Sequence, residues 1–475
     1  MCWTETGGRA TGLAGRSALP ALLAVLTFLA LTRCVPLRGG GSDEGTAGSG
    51  HTNSSNAHAW QGPAGLAPYA PAFLVAPPGD IASLRLHPAD RPSHPPVVRL
   101  GTDDALILSF DRLGGGSERF HLRLTHRNRD WERSTLSPYE YVDGFHEAFA
   151  GGGRTSTGGP PSYVHHRMVI GSGGPLGTFR ASGNYLLEVS EAGGGELLFS
   201  LPLLVTEDEG ELTAATERLF TSATRGNLRA TLPLSDYRYP DGISFPQFDL
   251  HAVWVPDLLW GRRTGAGVQD RTAPNAVRFR QEREAAWPDN YFRRRLDLRL
   301  DGGFGAGNPQ IRQVRRDTVP RRVTLERDLQ SFPRTSPSGD PGRSLDEGPS
   351  SDRAADYLQV DFSLEPGGKE WRLGKTSAST PAEVTLFVAG DFNGWRLEPR
   401  HRMRWDAGEG LWRGSALVKE GAWHYAYLLR GPEGDVRSVG PLPSTGEAPH
   451  EILALVYYTD PVRGHDRLLQ AKLNR

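Results

Sequence analysis

Cysteine is almost absent from the chain, with only Cys2 and Cys34 among 475 residues. Lysine is nearly as scarce: Lys369, Lys375, Lys419 and Lys472 are its only occurrences among 54 basic residues. The first shortage excludes a disulfide framework past the N-terminal segment, so stability has to come from core size. The second leaves arginine as the basic residue throughout, which fits a GC-rich coding sequence and marks no site. Neither charge sign is in excess, with 54 basic against 55 acidic residues and a net charge of −1. No global basic field is therefore available for nucleic acid.

Catalytic signatures are missing as well. The sequence has no Gly-x-Ser-x-Gly, no phosphate-binding loop and no dinucleotide fingerprint. His165 and His166 are adjacent, and His121 and His126 are five apart, so each pair diverges across an extended strand instead of converging on a metal. Asp103 and Asp104 diverge in the same way and are read as a turn, not as an acid–base pair. No catalytic residue, metal site or cofactor is expected. No segment of helical length carries a 3.6-residue apolar period, and no solenoid or propeller repeat is visible.

What is abundant is glycine, at 58, and proline, at 36. That composition suits an all-β chain rich in turns. Near the N-terminus, Arg9 and Arg16 precede ALPALLAVLTFLAL over residues 18–31. This run is short for a bilayer span but fits the apolar core of an export signal. It ends at Leu31-Thr32-Arg33-Cys34, which resembles a lipobox except that Arg33 replaces the small residue expected there. Residues 1–34 are thus read as a signal peptide with Cys34 as a candidate lipidation site. Residues 35–71, rich in Gly, Ser, Pro and His, read as a flexible tether.

Three β domains are expected after it. In residues 72–206, Phe120, Leu122 and Leu124 alternate with polar residues, and GNYLLEVSEAGGGELLFSLPLLV reads as a hairpin whose Pro202 puts the second strand at an edge. Residues 207–366 read as a second β domain with a long loop at about 322–353. In that domain Leu296, Leu298 and Leu300 alternate, and so do Leu358, Val360 and Phe362. Residues 381–475, in about seven short strands, complete the expected tandem of immunoglobulin-like, early-set β-sandwich domains. LWRGSALVKEGAWHYAYLLRG is read there as two strands joined at Glu420-Gly421, and EILALVYYTD as the last strand.

FVAGDFNGWRL, residues 387–397, resembles the first hairpin of early-set modules attached to glycogen-handling enzymes. In sugar-binding members a Trp after the turn stacks on the glycan, joined by a second Trp and a Lys. Here Trp395 is present, but Ala426 falls at the Lys position and Val436 near the second Trp. Two readings follow: Trp395 as a glycan platform, or Asp391, Asn393 and Gly394 as turn chemistry with Phe392 and Trp395 closing the sandwich end.

Longer phrases carry a second resemblance. Leu106 to Leu113 (LILSFDRL), His126 to Trp131 (HRNRDW), Leu136 to Phe145 (LSPYEYVDGF) and Ser182 to Glu191 (SGNYLLEVSE) resemble the N-terminal domain of the type IX secretion system plug proteins. DNYFRRRLDLRL, ADYLQVDFSL, VAGDFNGW and ALVYYTDPVRGHDRL follow in that family's order, so the resemblance runs from about residue 73 to 475. It implies a non-enzymatic protein on the periplasmic side of the outer membrane. Its partner would be the translocon β-barrel, and it would touch the membrane only through that partner or a lipid anchor. Ser137, Pro138, Tyr139, Glu140, Tyr141, Asp143 and Phe145 form the candidate interface loop, with a packed internal loop as the alternative. An exported glycan-binding lipoprotein using Trp395 is the competing function.

Overall fold

The computed structural model describes residues 71–474, less 72, 117, 194, 221–228, 284–286, 289–293, 300–309, 330–352, 367–371, 374–375, 378–384, 431–435 and 440–450. The described chain is all-β: its only helices are single turns. The sequence-predicted signal peptide, tether and Cys34 lie outside these residues, as does Leu300.

The first sandwich packs two sheets face to face. Strands β1 (Ile81–Pro88), β3 (Ala105–Leu113), β6 (Arg154–Thr155) and β7 (Tyr163–Gly171) form one sheet in the order β1-β3-β7-β6. Strands β2 (Val97–Arg99), β4 (Arg119–Arg127), β5 (Glu147–Gly151), β8 (Gly183–Glu191) and β9 (Leu197–Thr206) form the other, in the order β2-β9-β8-β4-β5. The strict alternation of β4 sends Phe120, Leu122 and Leu124 inward against Leu106, Leu108 and Phe110 of β3. Phe110 meets Phe120 and Phe199 edge-on, at centroid distances of 5.1 and 5.3 Å. The sequence-predicted hairpin is present as β8–β9. Pro202 faces Leu186 on β8, and on the other side β2 covers β9 only from Leu204 to Thr206. The edge assigned from Pro202 therefore ends where β2 begins.

A curled sheet follows. Strands β10 (Glu211–Phe220), β11 (Arg229–Arg238), β12 (Leu250–Pro256), β13 (Thr264–Ala273) and β14 (Ala276–Arg280) join β24 (Ile452–Thr459) and β25 (Asp466–Asn474), in the order β10-β11-β14-β13-β12-β24-β25. Its two edges approach each other. Glu209 N donates to Leu469 O at 2.9 Å, and Lys472 Nζ donates to Leu212 O at 2.9 Å. Trp254, Tyr237 and Phe279 fill the interior, and Trp254 Nε1 donates to Ser235 Oγ at 2.9 Å.

Membership of β24 corrects the sequence reading, which gave EILALVYYTD to the early-set domain. Ile452, Ala454 and Val456 point into the barrel-like interior. Leu453, Leu455 and Tyr457 point out, beneath Trp131 and Leu204 of the first sandwich. An apolar run buried on both faces calls for cover on both sides, and the side chains of the barrel-like interior and of the first sandwich supply it.

The C-terminal sandwich is inserted into this sheet. One of its layers is β15 (Arg294–Asp297), β22 (Ala422–Arg430) and β19 (Thr385–Gly390), with β23 (Val436–Val439) also beside β22. The other is β16 (Ile311–Arg315), β17 (Arg322–Leu325), β18 (Tyr357–Glu365), β21 (Leu411–Lys419) and β20 (Arg404–Asp406) in that order. The described strands between residues 294 and 365 thus serve this sandwich and not a separate second domain: Leu296, Leu298, Leu358, Val360 and Phe362 share its core with Trp423, Tyr425 and Tyr427. Of the loop expected at about 322–353, residues 330–352 lie outside the described residues, and Arg322–Leu325 is a strand that runs parallel to β18. The strands on either side of Glu420-Gly421 are also not a hairpin. β21 pairs with β18 and β22 with β19, so the turn crosses from one layer to the other.

Candidate interaction surface

The loop singled out in the sequence is braced by its own residues. Ser137 caps the single turn α1 (Pro138–Tyr141), and Glu140 Oε2 accepts from both Ser137 N and Ser137 Oγ at 2.7 Å. These hydrogen bonds hold the Glu140 carboxyl below its ordinary range. Tyr141 turns inward and donates its hydroxyl to Leu124 O at 3.1 Å, while its carbonyl accepts from Tyr185 OH at 3.0 Å. At the far end Gly177 N donates to Phe145 O at 2.8 Å. A Cβ on Gly177 would stand 2.1 Å from Asp143 O, so the approach needs glycine. The loop is packed on one side and offered to solvent on the other. Tyr139 is 81% exposed and Phe145 76%.

A second turn lies beside it. His465 and Tyr141 both contact the His126 ring, at centroid distances of 5.9 and 6.0 Å. Between β24 and β25, Asp460 Oδ1 accepts from Val462 N at 2.9 Å and Arg463 N at 3.0 Å, fixing a turn whose Val462 is 92% exposed. The single turn α2 (Pro246–Asp249) leads into β12, whose Leu250 pairs with Tyr458. It therefore sits at the same end of the sheet, with Phe245 and Phe248 exposed. Apolar side chains from three separate connections are displayed at this end, and each connection has its own hydrogen bonds.

The other candidates fall elsewhere. Trp395 is only 6% exposed and packs with Leu259, Ala389, Ala426, Leu428 and Val436. Its Nε1 donates to Asp391 Oδ1 at 2.9 Å, and Asp391 Oδ2 accepts from His424 N at 2.8 Å. Asn393 Oδ1 accepts from Gly390 N at 3.0 Å, and Phe392 packs against Phe362. A cavity of about 320 Å³ adjoins this turn, lined by Leu113, Phe392, Asn393 and Arg396 among others, and Trp395 is not in its wall. The indole has no free face for a sugar ring.

The paired histidines diverge as their spacing predicts. His165 Nδ1 lies 2.7 Å from Asp111 Oδ1, while His166 faces the core between Phe110 and Phe120. Burial pushes His166 down to about 4. Asp104 pairs with Arg99 at 3.1 Å in the expected turn.

One cluster has no counterpart in the sequence reading. Asp111 is 0% exposed, and its Oδ2 accepts from Lys419 Nζ and from Tyr357 OH, each at 2.7 Å. Lys419 Nζ also stands 4.5 Å from the Tyr163 ring centroid. These residues join the first sandwich to the C-terminal one across 308 positions of sequence. Each is an ordinary strand residue by itself, so no local motif announces the cluster. On the other flank, Arg129 pairs with Asp466 at 2.7 Å, and Tyr457 OH donates to Asn184 Oδ1 at 2.7 Å.

Comparison with known proteins finds a likeness for the first sandwich. Residues 81–207 match the family model of the type 9 secretion system plug protein 1st domain. No curated protein matches the chain. Among solved structures, a hypothetical protein from Parabacteroides merdae is 20% identical, with a TM-score of 0.69 over 85% of this chain and 99% of that one, which shows a shared fold. The match to trypsin-activated alpha-2-macroglobulin from Escherichia coli covers 82% of this chain and 27% of that one at 9% identity, with a TM-score of 0.19. The β-sandwich at residues 81–207 is thus similar to the type 9 secretion system plug protein 1st domain, the family that the phrases from Leu106 to Glu191 resemble.

Proposed function

We propose that this protein is a non-enzymatic plug of the type IX secretion translocon, closing the periplasmic mouth of the outer-membrane barrel. The observation that carries the reading is the plug first domain, locked to both neighbouring domains by buried polar contacts. A stopper for a wide pore has to resist deformation. Here Asp111 ties the domain to Lys419 and Tyr357 on one side, and Asp466 ties to Arg129 on the other. The exposed aromatic end, with Tyr139 and Phe145 on a braced loop, is the surface we assign to the barrel. The competing glycan reading lacks its platform, since Trp395 is buried.

Loss of a plug should make the outer membrane leaky before it abolishes secretion. A deletion strain should become sensitive to vancomycin, and deleting the translocon barrel as well should restore resistance. Tyr139→Ser with Phe145→Ser should reproduce the leak while changing stability by no more than about 0.5 kcal/mol, as exposed substitutions do. A deletion strain as resistant as its parent would overturn the assignment.

Anchoring through Cys34 is part of the same proposal and rests on Leu31-Thr32-Arg33-Cys34. In a strain lacking the barrel, Cys34→Ala should move the protein from the outer-membrane fraction to the soluble periplasm. An unchanged membrane fraction in that background would sink the lipid anchor, because retention by the barrel is already removed.

A further inference from the structure

The junction between the plug first domain and the C-terminal hairpin of the curled sheet encloses two imidazoles. His126, on β4, and His465, just before β25, are both buried, and their rings meet edge to face with centroids 5.9 Å apart. His126 Nε2 lies 3.0 Å from Ser182 O, while its Nδ1 meets no hydrogen-bond partner among the described residues. The fit leaves no slack: a Cβ on Gly183 would stand 2.5 Å from His126 Nε2 and 3.1 Å from Asp466 O.

We propose that the His126–His465 pair is an acid-sensitive latch. At neutral pH it holds the first sandwich against the β24–β25 hairpin, and in mildly acidic surroundings it lets that junction open. The proposal is independent of the plug reading, since it concerns only how two parts of this chain stay docked.

The surroundings favour uncharged rings. His126 faces Tyr141 and Tyr185 from its own sandwich, and His465 and Asp466 from the hairpin. Asp466, the one carboxylate in its reach among the described residues, already accepts from Arg129 Nη1 at 2.7 Å, Arg129 N at 3.0 Å and Thr459 Oγ1 at 2.6 Å. His465 faces Asp460 on one side and Arg463 and Arg467 on the other, with Glu140 nearby on α1. The third imidazole of this region, His251 on β12, faces the same Arg129–Asp466 pair. Burial drives His126 down to about 4, with the neighbouring His465 adding to the effect. Burial likewise lowers His465 and takes His251 to about 4.

The direction follows from linkage. A base depressed in the closed state stabilises closure fully above the ordinary histidine value, about 6.5, and this contribution is lost as pH falls toward about 4. Between pH 7.5 and 5.0, protonation of His126 alone should favour the open junction by about 30-fold.

Hydrogen–deuterium exchange on the full chain, corrected for the intrinsic pH dependence of exchange, measures this. Peptides covering residues 126–134 and 460–468 should lose about 30-fold in protection at pH 5.0, while strands β3 and β8 keep theirs. His126→Gln, which keeps a donor for Ser182 O, should remove most of the pH dependence. His465→Phe, which keeps a ring against His126 without a second charge, should reduce it. Three outcomes would overturn the latch. One is junction protection that is flat across this range. Another is the same acid loss in both variants as in the parent. The last is simultaneous loss in β3 and β8, which would mean whole-sandwich unfolding driven by His166.

Discussion

Asp111→Ala is expected to destabilise the protein by about 3–5 kcal/mol, the loss typical of removing one partner from a buried ion pair. The carboxylate is wholly buried and serves three donors: Lys419, Tyr357 and His165. Its removal takes the carboxylate at 2.7 Å away from the Lys419 ammonium, itself buried, although the Tyr163 ring still lies below it. It also leaves the buried Tyr357 hydroxyl with only Ser83 Oγ, at 2.7 Å, of the partners described here. The energy is mostly the penalty of stranding a charge, not the net worth of the pair. Asp111→Leu combined with Lys419→Met should therefore recover most of the loss, because no unpaired charge is left behind. Denaturant unfolding of the single and double variants decides the matter. A single variant within 1 kcal/mol of the parent, or a double variant worse than the single one, would show that the cluster does not hold the two sandwiches together.

That cluster marks the limit of what the sequence displays. Period-2 alternation is a local signal, and it placed Phe120, Leu122 and Leu124, and likewise Leu358, Val360 and Phe362, on the core faces where they lie. Turn chemistry is also local, so Asp391, Asn393 and Gly394 were legible as a turn. Sheet partnership is not local. The strand at Ile452–Thr459 was given to its sequence neighbours, yet it pairs with Leu250–Pro256 some two hundred positions earlier. Its unbroken apolar run was the available clue, since a strand that faces solvent on one side would alternate. The same limit applies to Tyr357 and Asp361, which share a strand face in the sequence. Tyr357 is buried against the first sandwich, whereas Asp361 pairs with Arg322 on the outer face of the sheet. Of the candidate loop, the aromatic character of residues 137–145 was visible. What divides it into buried Tyr141 and exposed Tyr139 and Phe145 is the turn at Pro138–Tyr141, fixed by Ser137 and Glu140.

Trp395→Ala should cost a further large sum, about 3–5 kcal/mol, as truncation of a core aromatic does. Three losses combine. The indole leaves a void among Ala389, Ala426, Leu428 and Val436 of the C-terminal sandwich. It also gives up its packing on Leu259, which belongs to the chain just after β12 in the curled sheet, so the contact between two domains weakens with it. Asp391 loses the Nε1 donor but keeps His424 N at 2.8 Å, which limits the electrostatic part of the damage. One effect runs the other way. Trp395 adopts a left-handed backbone with φ of 60°, which is costly for a residue with a Cβ and which the surrounding structure imposes. Trp395→Gly should therefore be less damaging than its extra lost methyl suggests, falling within about 1 kcal/mol of the alanine variant. Denaturant midpoints of the two variants test the packing, and calorimetric titration with maltooligosaccharides tests the alternative role. Neither the parent nor the variants should bind. Millimolar or tighter binding by the parent, lost in a folded Trp395→Ala protein, would require the indole to leave its pocket and would favour a glycan-binding C-terminal sandwich.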